Sequence, residues 1–223
     1  MPTSVETRPR RGRPGYDQRS LLHRSVEVFN VHGYDSTSME MLARELGITK
    51  SAIYHHVNSK EELLRLALDQ ALISLQEVLE MPGTHSGRAD ARLEFVIYNT
   101  VLVLAEQLPY VTLLLRLRGN SPIELAALQR RRAFDARMRE IVDLARAQGY
   151  LRRDIDSATT ARLIFGTINS VVEWYERDGR LTPEELATDV VRTIMTGVGR
   201  GGPVRLPDRP PESHCLATSV RTS

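Results

Sequence analysis

"TSMEMLARELGITKSAIYHHV", residues Thr37 to Val57, decides how the rest of the chain is read. Thr37 with Glu40 three residues on has the form of a capping box, in which the hydroxyl caps the Glu40 amide and the carboxylate reaches back. That predicts a short helix, because Gly47 follows Leu46 at once. Thr49 can then cap a second helix, Lys50 to His56. Two short capped helices around a tight glycine turn make a helix-turn-helix pattern. The start of the second helix, Thr49, Lys50, Ser51 and Ala52, is small and polar with one cation. Such an end can approach base edges closely in a major groove. Spacing alone leaves other readings open, since paired short helices occur in many α-proteins and Tyr54 can equally be a core side chain.

The adjacent His55 and His56 suggest a metal or an acid–base site. On a helix, neighbours point about 100° apart, so the two rings cannot chelate one ion from one face. A zinc site needs three or four ligands, and no nearby Cys, Asp or Glu has the spacing. No metal and no cofactor is expected. The doublet is better read as the C-terminal end of the second helix than as a chelating pair.

Outward from this stretch the pattern stays helical. Leu22, Val26 and Phe29 sit at i, i+4 and i+7, and Gly33 is placed to end that helix. Ser59 with Glu62 reads as a second capping box, opening a helix out to Glu80 with Leu64, Leu68, Ala71 and Leu75 in register. Met81 to Gly87, "MPGTHSG", breaks the chain. Beyond it, Leu93 to Leu108 is a broad apolar helix stopped by Pro109. "YVTLLLRLRG" is a short one stopped by Gly119, and Ile123 to Gln148 is long, with a polar girdle at Gln129–Arg132. Asp156 caps a helix through Trp174 and Tyr175, and Thr182-Pro183-Glu184-Glu185 opens the last, to about Val198. The expected fold class is all-α, with three helices in a front helix-turn-helix unit and six in a larger unit behind it. The expected regions are a flexible basic arm (1–15), the helix-turn-helix unit (16–62), the helical ligand-binding and dimerisation unit (63–198) and a disordered tail (199–223).

Net charge is only +2, from 30 Lys and Arg against 28 Asp and Glu, so composition does not announce a nucleic-acid binder. Its distribution does, because Arg8, Arg10, Arg11 and Arg13 crowd one segment with no acid between them. Arg11-Gly12-Arg13-Pro14 is similar to the core of AT-hook peptides, which enter narrow A·T minor grooves. The alternative is a solvated tail touching phosphates nonspecifically. The single cysteine, Cys215, excludes an internal disulfide and fits a reducing cytoplasm. No apolar run follows the N-terminal arginines, as a signal peptide would require. Phe95 to Ala105, the most apolar stretch, is far short of the roughly 20 residues of a membrane span. With no Gly-rich phosphate loop and no Gly-x-Ser-x-Gly, an enzyme is not expected.

"FNVHGYDSTSMEMLARELGITKSAIYHHVNSKEELL", Phe29 to Leu64, resembles the N-terminal DNA-binding domain of the TetR family of bacterial repressors. The resemblance rests on Phe29, Gly33, Tyr34, Thr37, Ser38, Ala43, Gly47, Lys50, Tyr54, His56 and the run Ser59-Lys60-Glu61-Glu62-Leu63. Leu42, Thr49, Ala52, Val57 and Asn58 depart from the family's usual isoleucine, serine, glycine, phenylalanine and proline. The resemblance implies that Thr37, Lys50, Tyr54, His55 and Lys60 contact phosphates while Thr49, Ser51 and Ala52 face bases. It also implies a regulator that binds double-stranded operator DNA as a homodimer and is released by a small-molecule effector. With the arm's Arg10, Arg11 and Arg13, these residues form the expected DNA surface.

The effector pocket is expected among the apolar helices from Ala89 to Tyr175. Tyr98, Tyr110, Phe134, Phe165, Asn169 and Trp174 are polar or aromatic positions in aliphatic stripes, and each is also readable as core. Leu102 and Leu114 belong to the same expected lining. "TINSVVEWYERDGRLTPEELA", Thr167 to Ala187, is similar to a stretch in TetR-family repressors of fatty-acid, sterol and phenylacetate catabolism, several of which respond to acyl-CoA thioesters. Phenylacetyl-CoA is one such ligand. Its phosphates would want cations, and Arg116, Arg118 and Arg130–Arg132 are candidates, with plain surface charge the alternative for each. A hydrophobic drug, a free fatty acid, or a ligand-independent architectural role remain the rival readings. Ile164, Ile168, Val171, Val190, Val191 and Ile194 on the last two helices are expected to form a four-helix dimer interface.

Overall fold

The computed structural model describes residues 17–199, and among these the fold is all-helical. Ten α-helices appear: α1 Gln18–His32, α2 Met39–Leu46, α3 Lys50–Tyr54, α4 Lys60–Glu80, α5 Pro82–His85, α6 Ala89–Glu106, α7 Leu108–Leu115, α8 Pro122–Ala147, α9 Ser157–Ser170 and α10 Pro183–Val198. The tenth is α5, a single turn inside the stretch read as a break. Gly83 there lies so close to the Phe95 ring that a Cβ would fall 2.6 Å from it.

Asp17 caps α1 by accepting from the Ser20 amide, and Gly33 closes it at φ 83°. The buried face of α1 is Leu21, Ser25, Val26 and Phe29, with Leu22 only half-buried, so the stripe sits one residue earlier than its spacing suggested. Ser38, not Thr37, caps α2, accepting from the Met41 amide. Thr37 is buried, and its hydroxyl donates to the Gly33 carbonyl at 2.7 Å. The turn before α2 needed that donor, and serine next door was free to cap. Ser59 caps α4 as expected, but Glu62 reaches to the Asn58 amide at 2.7 Å rather than back to Ser59. The box at Thr182 and Glu185 is complete.

Behind α1–α3 the helices pack around α6, whose Leu93, Val96, Ile97, Val101 and Leu104 are all buried. The chain bends by 103° between α6 and α7, just before Pro109, whose missing N–H suits a helix start. Helix α10 lies along α6, while α8 bridges α4, α6 and α9. Helix α9 ends at Ser170, short of Trp174, and a 3-10 turn, Val171–Glu173, follows. Ile164, Ile168, Val171, Val190 and Ile194 are all buried within the one chain. They are therefore core and cannot form a face for a partner; Val191 alone of that set is half-buried. Leu163 and Trp174 are the large apolar side chains that α9 and the turn after it leave exposed. No single helix among the described residues is long and apolar enough to cross a membrane.

Candidate functional site

Helix α3 is held by three things. Thr49 caps it, accepting from the Ala52 amide at 3.2 Å. Gly47 makes the turn before it at φ 67°, the left-handed region that glycine enters without steric cost. Ile53 and Val57 are its apolar anchors, at 0% and 2% exposure. With those two pinned inward, Ser51, Tyr54 and His55 face out, Ala52 and His56 are half-buried, and a shallow depression runs between them. Tyr54 is 44% exposed, which removes the core reading of its ring. The His55 and His56 rings meet edge to face at 5.5 Å, and no group of three metal-binding side chains exists among the described residues. The His56 carbonyl accepts from Gln18, tying the end of α3 to the start of α1.

Lys50 is exposed but paired with Glu40 across the turn, with its ammonium 5.9 Å from the Tyr54 ring centre. The pairing raises the Lys50 pKa and lowers that of Glu40. Lys60 is placed differently from the phosphate contact expected of it. Its Nζ donates to the Tyr34 and Thr37 carbonyls at 3.0 and 2.9 Å and sits 4.3 Å from the Tyr34 ring centre. Burial, with Glu61, Asp35 and Glu124 nearby, pushes the Tyr34 hydroxyl up to about 12. Thr37 and Lys60 thus serve the α1–α2 turn from inside, while Thr49, Lys50, Ser51, Ala52, Tyr54 and His55 share one surface. Arg10, Arg11 and Arg13 lie outside the described residues.

The expected effector residues separate into groups. Leu114, Phe134, Phe165 and Asn169 converge on a small cavity of about 30 Å³ between α4, α6, α7, α8 and α9. That is room for a water or two. Leu75, Leu104 and Ile168 complete its apolar wall, and Phe134 meets Phe165 edge to face at 6.1 Å. Two polar groups on the lining were not anticipated, Thr100 and Asp135, whereas Arg131 belongs to the Arg130–Arg132 set expected to serve an effector. The Thr100 hydroxyl is buried with no hydrogen-bond partner among the described residues. Burial pushes the Asp135 carboxyl up, with Arg131 pulling it down. Thr100 and Asp135 are single polar residues within long helices, and spacing alone does not set them apart.

Tyr98 and Leu102 are half-buried on α6 and do not line this cavity. Trp174 is 54% exposed and outside it, because the chain leaves the helix before reaching that position. Arg116 and Arg118 do not line this cavity either; they border a separate surface pocket of about 510 Å³ beside Asn30, Asp35 and Glu124. Arg116 donates to the Asn30 carbonyl at 2.9 Å, Asn30 in turn donates to the Pro109 carbonyl at 2.8 Å, and Asn120 reaches Asp35 at 3.0 Å. These bonds lock α1 to α7. Buried Glu124 shapes the loop between, accepting from the amides of Arg118, Gly119 and Asn120. Arg130 is paired with Asp69 and Gln76 of α4 at 2.5 and 2.9 Å. Tyr110 belongs to a second, open cleft of about 910 Å³ on the other side of the α6–α7 corner.

Residues 21–67 match the model of bacterial regulatory proteins of the tetR family, and residues 86–198 match the tetracyclin repressor-like C-terminal domain. A solved member of the TetR transcriptional regulator family from Streptomyces coelicolor A3 is 46% identical, with 80% of this chain and 90% of that one covered at a TM-score of 0.75. The fatty acid metabolism regulator protein of Bacillus subtilis (strain 168) is 23% identical over 189 residues, 83% of this chain and 96% of its own length. AibR, solved in complex with isovaleryl coenzyme A and operator DNA, shares the fold at 23% identity and a TM-score of 0.65, covering 79% and 97% of the two chains.

Proposed function

The chain belongs to the TetR family of bacterial transcriptional regulators, and on that footing we propose that it binds a palindromic operator as a homodimer and leaves it when an acyl-CoA thioester fills the body of the protein. One observation carries the DNA half of this reading. Ile53 is wholly buried, and its burial turns Ser51, Tyr54 and His55 of one capped helix outward together. In such a helix the first residues meet base edges while flanking groups position the backbone. Lys50, Tyr54 and His55 take phosphates; Thr49, Ser51 and Ala52 lie nearest the bases. The arm's Arg10, Arg11 and Arg13 add phosphate or minor-groove contacts, and removing residues 1–13 is expected to weaken binding and lower its salt slope.

The effector half rests on the inner cavity. Its walls are aliphatic and aromatic, and Thr100 offers a buried hydroxyl that a thioester carbonyl would satisfy. AibR, a protein of the same fold, binds isovaleryl-CoA, and the Bacillus relative regulates fatty acid metabolism. At about 30 Å³ the cavity is too small for an acyl group as it stands, so a ligand must part the lining helices. Helix α4 lines it and runs from there to the α3 side, so parting them re-aims the head. The ligand then favours the head spacing that does not fit DNA, a population shift. Two copies would join through the surface of α9 and the turn after it, where Leu163 and Trp174 are exposed.

The test is a footprint of the promoter beside the protein's own gene, repeated with phenylacetyl-CoA, isovaleryl-CoA and longer thioesters. The expected result is two protected half-sites related by a two-fold axis, about 34 Å apart or a multiple of it, lost with one thioester. Protection without symmetry and blind to every ligand would favour an architectural protein and overturn the reading. Release by a free fatty acid or a hydrophobic drug alone would overturn the thioester.

A further inference from the structure

The open cleft has its own chemistry. It lies where α1 meets the α6–α7 corner and the loop after the 3-10 turn, and its cations are Arg19, Arg24 and Arg177. Arg24 is paired with Glu27 at 2.8 Å. Arg19 and Arg177 form no salt bridge within 4 Å among the described residues, although Arg19 helps to lower the pKa of Asp17, and one carboxylate, Glu106, shares the wall. Tyr110 forms the floor, with its ring edge to face with His23 at 6.0 Å. Burial raises the pKa of its hydroxyl, and the charge of Arg19 acts on it in the opposite direction. A cleft of about 910 Å³ matches the volume of small-molecule sites.

The α6–α7 corner lines both this cleft and the inner cavity. Leu104, Val111 and Leu114 face the cavity, and Gln107, Pro109 and Tyr110 face the cleft. On α4 the same division falls between Leu75 and Gln70. Gln107 on the cleft wall donates from Nε2 to Ser74 Oγ at 2.6 Å, and Ser74 adjoins Leu75 of the cavity wall. The side-chain amide oxygen of Gln107, Oε1, is buried and has no partner among the described residues. A buried amide oxygen without a donor costs free energy, so this contact is poised to rearrange when a donor arrives.

We infer that the cleft at Arg19, Arg177, Tyr110 and Gln107 is the anion subsite for a phosphate-bearing amphiphile whose apolar end enters the inner cavity past the Ser74–Gln107 bond. This rests on the thioester reading above and moves the phosphate contacts away from Arg118 and from Arg116 and Arg130, whose side chains bond across helices. Guanidinium pairs suit phosphate because each presents parallel N–H donors. The site also explains how a ligand reaches the head directly: Arg19 is on α1, so an anion bridging Arg19 to Arg177 pulls that helix toward the body.

The experiment is calorimetry on the full chain with free coenzyme A, inorganic pyrophosphate and a panel of acyl-CoA thioesters, against Arg19→Ala, Arg177→Ala and, for comparison, Arg118→Ala. Both cleft variants are expected to weaken thioester and coenzyme A binding by about tenfold each, the loss of one charge-assisted contact, with Arg118→Ala unchanged. A thioester that binds all four proteins equally overturns the anion subsite while leaving the effector reading intact. Coenzyme A or pyrophosphate binding that is lost in Arg177→Ala, with no acyl-chain dependence, supports the subsite and contradicts the effector reading. No binding of any anion to the unaltered protein overturns both.

Discussion

The ammonium of Lys60 already has two carbonyl acceptors and an aromatic ring before any phosphate approaches. Removing it leaves the Tyr34 and Thr37 carbonyls without their donor. Lys60→Met is therefore expected to cost about 2 kcal/mol in chemical denaturation, the range for hydrogen bonds to charged groups. The salt slope of operator binding should not change, whereas a lost phosphate contact would lower it by about 0.9. Asp135 makes a second case. Its pKa is raised by burial, so the carboxylate is a burden once ionised and none while protonated. Asp135→Asn should match the parent in stability below the ordinary aspartate range. It should exceed it increasingly as pH rises through that range and then through the raised folded value. Melting curves across pH 3 to 7 check this, and an advantage largest at acid pH would refute it.

At the scale of elements, α2 and α3 are joined by a glycine and by one ion pair. Gly47 has open space around its missing Cβ but a positive φ, so Gly47→Ala isolates the conformational penalty. The expected loss is about 1 kcal/mol in equilibrium unfolding, with the α3 surface intact. Glu40 pairs with Lys50 on the surface proposed to meet DNA. Glu40→Gln frees the cation and removes an acid from that surface, so operator affinity should rise several-fold and the salt slope steepen by about one phosphate. Helices and stops were readable because Gly33, Gly47, Asp156 and Thr182 act within a few residues of themselves. The caps at Thr37 and the partners of Lys60, Arg116 and Arg130 were not. Thr37 and Ser38 offer the same hydroxyl one residue apart, and only the need of the Gly33 carbonyl chooses between them. Lys60 and Arg116 bond across 23 and 86 residues, distances at which a helical stripe carries no information. Likewise a stripe cannot say whether Ile164 or Val190 faces its own core or a second chain.

Across the whole molecule, head and body are connected twice. Helix α4 runs between them as a rod of roughly 30 Å at 1.5 Å per residue. The α1–α7 contact, with Asn30, Pro109, Arg116 and Asn120, is the second link. Both links start at helices that line the cavity or the cleft: α4 and α7 touch the inner cavity, and α1 and α7 the outer cleft. A ligand that parts α4 from α7 must therefore displace α1–α3 or break those bonds. Coupling of this kind is typically worth about 1–3 kcal/mol. Fluorescence anisotropy of a labelled operator, titrated with protein in the presence and absence of a thioester that calorimetry shows to be bound, measures it directly. Ligand is predicted to weaken operator binding by about tenfold or more; an unchanged operator affinity with the thioester bound would contradict the account.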